Sequence, residues 1–221
     1  MRVILFGATG MVGQGVLREC LLSSQVEAVL AVGRTPSGRS SPKLTEIMVA
    51  SLDDLLPIEE RLRGYDACFF CLGVSSAGMT EEQYRRVTYD LTLSVGERLA
   101  KLDPGMTFTY VSGAGTDTTE RGRSMWARVK GRTENALLRL PFRAAYMFRP
   151  GLIRPLHGGR SKTRSYRVLY RLMGPFLGIA EAVAPNSMTT TEKMGRAMIH
   201  VVERGAPTKL LSTRQINALA A

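Results

Sequence analysis

From its first residues the chain alternates short apolar runs with longer stretches whose apolar residues recur three and four positions apart. The runs are "RVILFG" at 2–7, "VEAVLAVG" at 26–33, "TEIMVA" at 45–50, "DACFFCLG" at 66–73, "MTFTYVSG" at 106–113 and "AAYMFRPG" at 144–151. Each is of strand length and rich in β-branched or aromatic residues, and between them lie helical patterns. One helix is predicted from about Met11, one across 80–102 and one over 124–140. Strand and helix in alternation predict a parallel sheet with crossover helices on both faces, a doubly wound α/β fold. Beyond 151 the pattern becomes irregular. Thr189 with Glu192 three residues later reads as a capping box opening a docking helix, and Gly205 as its stop.

Length and composition narrow this without changing it. At 221 residues the chain fits a single domain, with residues 1–150 as a core and 151–221 as the smaller lobe. With 44% hydrophobic and 22% charged residues it is a globular chain rather than a disordered one. Cys20, Cys68 and Cys71 make an odd count, and no secretory leader is readable in "MRVILFGATG", so a reducing, cytoplasmic home is expected. "CFFC" looks like a redox or metal pair, but in a strand Cys68 and Cys71 point to opposite faces, so buried packing is expected instead. His157 and His200 are the only histidines, and no metal site is readable.

The charge is lopsided. The net is +11, and it divides into −4 over residues 1–120 and +15 over 121–221. A basic half suits an anionic cofactor, an acidic substrate, nucleic acid or a membrane surface. No nucleic-acid reader motif or aromatic stacking platform accompanies it, which argues against nucleic acid. The segment 160–184 begins with Arg160, Lys162, Arg164, Arg167 and Arg171 and then turns apolar. It reads as a lid or core of the lobe, with peripheral membrane contact as the competing reading; it is too short to span a bilayer, and Gly174-Pro175 breaks it.

The chemistry begins at "VILFGATGMVGQG". Gly7, Gly10 and Gly13 follow a strand and open a helix, the setting in which glycines let a pyrophosphate reach the backbone and the helix N-terminus. At the end of the second strand an acidic residue would hold the ribose hydroxyls of NAD; this chain has Arg34, with Arg39 behind it. A guanidinium can grip a 2′-phosphate, so NADP(H) is favoured over NAD(H), the alternative being a solvated strand-end arginine. Asp53 stands where an acid can meet the adenine amino group, and helix capping would equally explain it.

Taken in order, the glycine loop, "CLG" at 71–73, "YVSG" at 110–113, "VKG" at 129–131 and "FRPG" at 148–151 resemble the short-chain dehydrogenase/reductase superfamily. The likeness is to its atypical members, similar to the Tat-interacting-protein-like oxidoreductases and epimerase/dehydratase-like proteins. The resemblance implies that Gly7, Thr9, Gly10, Met11, Val12 and Gly13 cradle the pyrophosphate. It likewise implies a Rossmann-type fold with a small C-terminal lobe on the substrate side, that Arg34 holds the 2′-phosphate, that Cys71, Leu72 and Gly73 line the adenine-ribose side, and that Pro150 and Gly151 lie beside the nicotinamide. Ser112 matches the serine that polarises a carbonyl and Lys130 the lysine that binds nicotinamide ribose. The departure is Trp126, which occupies the tyrosine position of Tyr-x-x-x-Lys; an indole N–H cannot exchange a proton near neutrality. Three readings follow: another acid serves (Ser112, Thr116, Tyr166 or Tyr170), or none does and the chain senses its cofactor, or Trp126 only packs. The expected activity is hydride transfer to or from a small carbonyl or hydroxyl substrate. A non-catalytic NADP(H) sensor and a nucleotide-sugar epimerase or dehydratase are the alternatives.

Overall fold

The computed structural model describes residues 1–157 and 187–221. Its main sheet has seven strands, all parallel: β1 (Arg2–Phe6), β2 (Ala28–Gly33), β3 (Leu44–Met48), β4 (Ala67–Phe70), β5 (Thr107–Val111), β6 (Ala144–Arg149) and a seventh, Leu210–Ser212. Their spatial order is β3-β2-β1-β4-β5-β6 and then the seventh. The reversal between β1 and β4 is the switch point, where the strand ends part and leave a crevice for a ligand. A second, two-stranded sheet pairs β7 (Leu152–Arg154) with β8 (Met188–Thr190), and the seventh strand of the main sheet is β9 in chain order.

The strands are apolar on both sides because helices cover both faces. Val3, Leu5 and Phe69 face one core, with α1 (Met11–Leu22), α5 (Thr191–Arg204) and α6 (Thr213–Leu219). Ile4, Phe6, Cys68, Phe70, Phe108 and Tyr110 face the other, with α3 (Leu91–Leu102) and α4 (Met125–Arg139). The expected α/β architecture is therefore present, with β9 and α5 returning the chain after residue 187 to the main sheet. Cys68 and Cys71 fall in opposite cores, as their spacing requires, and all three cysteines are free and buried. Burial pushes their thiols well above the ordinary range, so they remain protonated packing groups.

Two local departures have clear causes. The helix over 80–102 contains a π-wound turn, Arg86–Asp90, between α2 (Glu81–Arg85) and α3, and Thr80 caps its start in a capping box with Gln83. The cap of α5 is Thr190, whose hydroxyl accepts from Lys193 N–H at 3.0 Å, rather than Thr189. Thr189 is held in β8 opposite Ile153, so the strand runs one residue further than the capping pattern suggests. Glu192 turns its carboxylate to His157 at 2.9 Å and Arg196 at 2.7 Å instead of back to the cap. The segment 160–184, with Tyr166 and Tyr170, lies outside the described residues.

Candidate functional site

At the C-terminal ends of β1, β2, β3 and β4 the structure opens a cavity of about 820 Å³. Its floor is the loop Gly7–Gly10. Gly7 has φ +87°, and a Cβ there would lie 2.8 Å from the Cys71 carbonyl carbon, so only glycine allows the loop to turn this tightly against β4. A Cβ on Gly13 would lie 2.0 Å from the Gly7 oxygen, which is why α1 can start directly beneath the loop. The N-cap of α1 is Gly10, which provides no side-chain cap, and the first turn contains no acidic residue. The first N–H groups of α1 are thus left for an anion. Met11 and Val12 form that first turn behind the cavity wall.

The walls continue the fit. Arg34 and Asp53 line the cavity, as do Cys71, Leu72 and Gly73. The Arg34 side chain is exposed and has no ion pair or hydrogen-bond partner among the described residues. Asp53 accepts from the Ser51 hydroxyl at 2.9 Å, and its neighbour Asp54 accepts from Leu56 N–H at 3.1 Å. Met48, Val74 and Val87, 44%, 47% and 42% exposed, also line the cavity. Large apolar side chains held open to water around a pocket are surface that a flat apolar ligand face would cover. Val87 and the neighbouring Arg86 reach the wall because they sit in the π-wound turn, a device that re-aims side chains within a helix.

Ser112 and Lys130 stand apart from this cavity wall, at the end of β5 and on α4. Ser112 is gripped from three sides. Its hydroxyl donates to Glu134 Oε1 at 2.5 Å, with the Phe148 carbonyl 3.1 Å away, its N–H donates to that same carbonyl at 2.9 Å, and its own carbonyl accepts from Lys130 Nζ. Glu134 is fully buried and also takes a forked contact from Arg149, with Nε 3.0 Å and 3.2 Å from its two oxygens. Lys130 lies one helical turn from both Trp126 and Glu134 on α4. Desolvation pushes the Lys130 ammonium down to about 8, and the Glu134 carboxylate only partly restores it. Thr116 is engaged too, its hydroxyl donating to the Gly113 carbonyl at 2.8 Å.

Trp126 lies with its six-membered ring over the turn after β5: a Cβ on Gly115 would come within 3.4 Å of its ring and one on Gly113 within 4.0 Å. Pro150 joins this turn through its carbonyl, which accepts from Ala114 N–H at 2.8 Å, and Gly151 N–H donates to Thr213 Oγ1 at 2.8 Å. The sequence reading missed Glu134 and Arg149. The signal was present in the helix: Glu134 falls in the stripe of Ala127, Gly131 and Leu137, and a carboxylate on a buried stripe implies a buried partner.

No family model matches the chain. A curated relative from Scheffersomyces stipitis, "Protein FMP52-2, mitochondrial", is 26% identical over 232 residues, spanning 98% of this chain and 96% of its own length. "Protein HTATIP2" of Rattus norvegicus is 27% identical over 153 residues, 68% of this chain and 62% of that protein. Among solved structures, a short-chain dehydrogenase/reductase superfamily protein from Agrobacterium tumefaciens with bound NAD superposes with a TM-score of 0.65. It is 16% identical and covers 95% of this chain and 76% of its own. The fold and the relatives bear out the resemblance to that superfamily and to its Tat-interacting-protein-like members. They correct the expected cytoplasmic home: relatives from Scheffersomyces stipitis, Emericella nidulans and Eremothecium gossypii are all named mitochondrial, which points there instead. The cysteine argument could not make that distinction, because reduced, buried thiols mark a reducing compartment and not which one.

Proposed function

We propose that this chain, of the atypical short-chain dehydrogenase/reductase kind, is a nicotinamide-dinucleotide oxidoreductase with a preference for NADP(H), acting on a small carbonyl or hydroxyl substrate. The observation that carries this reading is the cavity at the switch point: an uncapped helix start, a glycine floor and, on one wall, a guanidinium without a partner among the described residues. Gly7, Thr9, Gly10 and the first turn of α1 would hold the pyrophosphate. Arg34 would take the 2′-phosphate, and Met48, Val74 and Val87 would enclose the adenine. When bound, a reduced nicotinamide supplies hydride to a carbonyl carbon. Lys130 is assigned to the nicotinamide ribose, and Ser112 to placing the substrate oxygen. For that, the Ser112 hydroxyl must turn from Glu134.

One observation favours a second reading, that of a non-catalytic NADP(H)-responsive protein. Trp126 carries no acid, and the hydroxyls of Ser112 and Thr116 both donate to internal acceptors. An epimerase or dehydratase is disfavoured for the same reason, since its first step removes a hydroxyl proton.

The test is an equilibrium titration of the purified chain with NADPH and NADH, following nicotinamide fluorescence and energy transfer from Trp126, the single tryptophan. Binding with NADPH tighter than NADH is expected. Binding of neither would remove the reading. Retained binding with no turnover over a panel of aldehydes, ketones and alcohols would select the second.

A further inference from the structure

The loop that presents Arg34 is braced by a carboxylate. Glu46 stands on β3 opposite Ala31 of β2, lines the same cavity as Arg34, and its Oε1 accepts from Ser37 N–H at 2.8 Å. That N–H lies three residues beyond Arg34, in the loop a 2′-phosphate would meet, and an acidic oxygen already occupies it. One wall of the cavity therefore carries both signs of charge, on a side chain from within β3 and one from just after β2. Asp53 adds a second carboxylate, exposed and bonded to Ser51. Arg86 adds a second guanidinium, paired with Glu82 at 2.6 Å.

We propose that Glu46 is a specificity-determining residue whose carboxylate limits the preference for NADPH, so that the site accepts NADH as well. The inference rests on reading the cavity as a dinucleotide site. A phosphate monoester near neutrality carries a charge of about −1.5 to −2, which a guanidinium attracts and a carboxylate repels. Glu46 also withholds the Ser37 N–H, a donor of the kind that phosphates seek. An unphosphorylated ribose presents hydroxyls, and these donate to a carboxylate. Arg34 and Glu46 thus act in opposite directions on the one group that separates the two cofactors.

The experiment measures dissociation constants for NADPH and NADH with the full chain, as wild type, Glu46→Gln and Glu46→Ala. Glutamine keeps an oxygen for Ser37 N–H and removes the charge, whereas alanine also frees the N–H. Glu46→Gln is expected to shift the affinity ratio toward NADPH by about tenfold, and Glu46→Ala by at least as much. A ratio within about twofold of wild type in Glu46→Gln, with wild type binding both cofactors, overturns the inference and leaves the cofactor reading standing. Wild-type protein that binds neither cofactor overturns the cofactor reading, and this inference with it.

Discussion

The two ends of the site are built on opposite principles. At the switch-point end the backbone has been cleared of side chains, a helix start is left without a cap, apolar groups stand open and Arg34 has no partner among the described residues. At the β5–α4 end nearly every polar group is satisfied within the protein: Ser112, Glu134, Arg149 and Lys130 answer one another. A surface with unmet donors and exposed apolar area is organised for something yet to arrive. A closed network is organised to hold its own geometry, and its members act on a ligand only by giving up internal bonds. The open end therefore carries a binding reading directly, whereas the closed end ties three elements, β5, α4 and β6, through one buried carboxylate.

The largest expected effect breaks the closed end. Glu134→Ala leaves Arg149 beside an emptied site and Ser112 with only the Phe148 carbonyl as acceptor. Losing one partner of a buried pair costs about 3–5 kcal/mol. Urea denaturation should show that loss, while Glu134→Gln, which keeps an acceptor, should lose markedly less. The next effect is confined to the open end. Arg34→Ala removes charge-assisted contacts worth about 1.5–3 kcal/mol, so the NADPH dissociation constant should rise about tenfold to a hundredfold. NADH affinity and the melting temperature should stay where they were. Equal losses for both cofactors would mean that Arg34 supports the loop rather than reads the phosphate.

The difference between the ends also explains what the sequence disclosed. The open end is local: Gly7, Gly10, Gly13 and Arg34 lie within one strand–helix–strand unit, and their spacing alone places them, so they were legible. Glu46 is on the third strand, and only the β2–β3 register brings it to Ser37. The closed end joins Ser112, Glu134 and Arg149 across long stretches of chain, and no short pattern reports such a meeting. The sheet itself was legible as far as β6, because each strand announced itself as a short run rich in apolar residues. The short strands β7, β8 and β9 were not, since three residues carry too little periodicity to register.

Lys130 gives the closed end a pH signature. Its ammonium is pushed from the ordinary 10.5 down to about 8 by desolvation. Between those two values the unfolded chain binds more protons than the folded one, so stability rises with pH across the window and is lower, but level, below about 8. The denaturation midpoint of wild type should climb through this range relative to Lys130→Met. The difference in slope should not exceed about 1.4 kcal/mol per pH unit, the limit for one proton. Parallel profiles would mean that water reaches the amine, and the closed end would not be closed.

The smallest expected change in stability belongs to the most discriminating substitution, Trp126→Tyr. A tyrosine ring can still cover the Gly113–Gly115 turn, so the fold should lose about 1 kcal/mol or less, and NADPH binding should hold. The new hydroxyl would sit one helical turn from Lys130, whose ammonium favours the phenolate while it stays charged, below about pH 8. An additional tyrosine should then titrate below about 10 in ultraviolet absorbance. If carbonyl reduction rises with it, the closed end lacked only its acid, and the oxidoreductase reading extends to both ends. If the phenol titrates early and no carbonyl is reduced, proton supply is not what limits the site. The grip of Glu134 on Ser112 then becomes the feature that keeps this chain a binder of its cofactor rather than a catalyst.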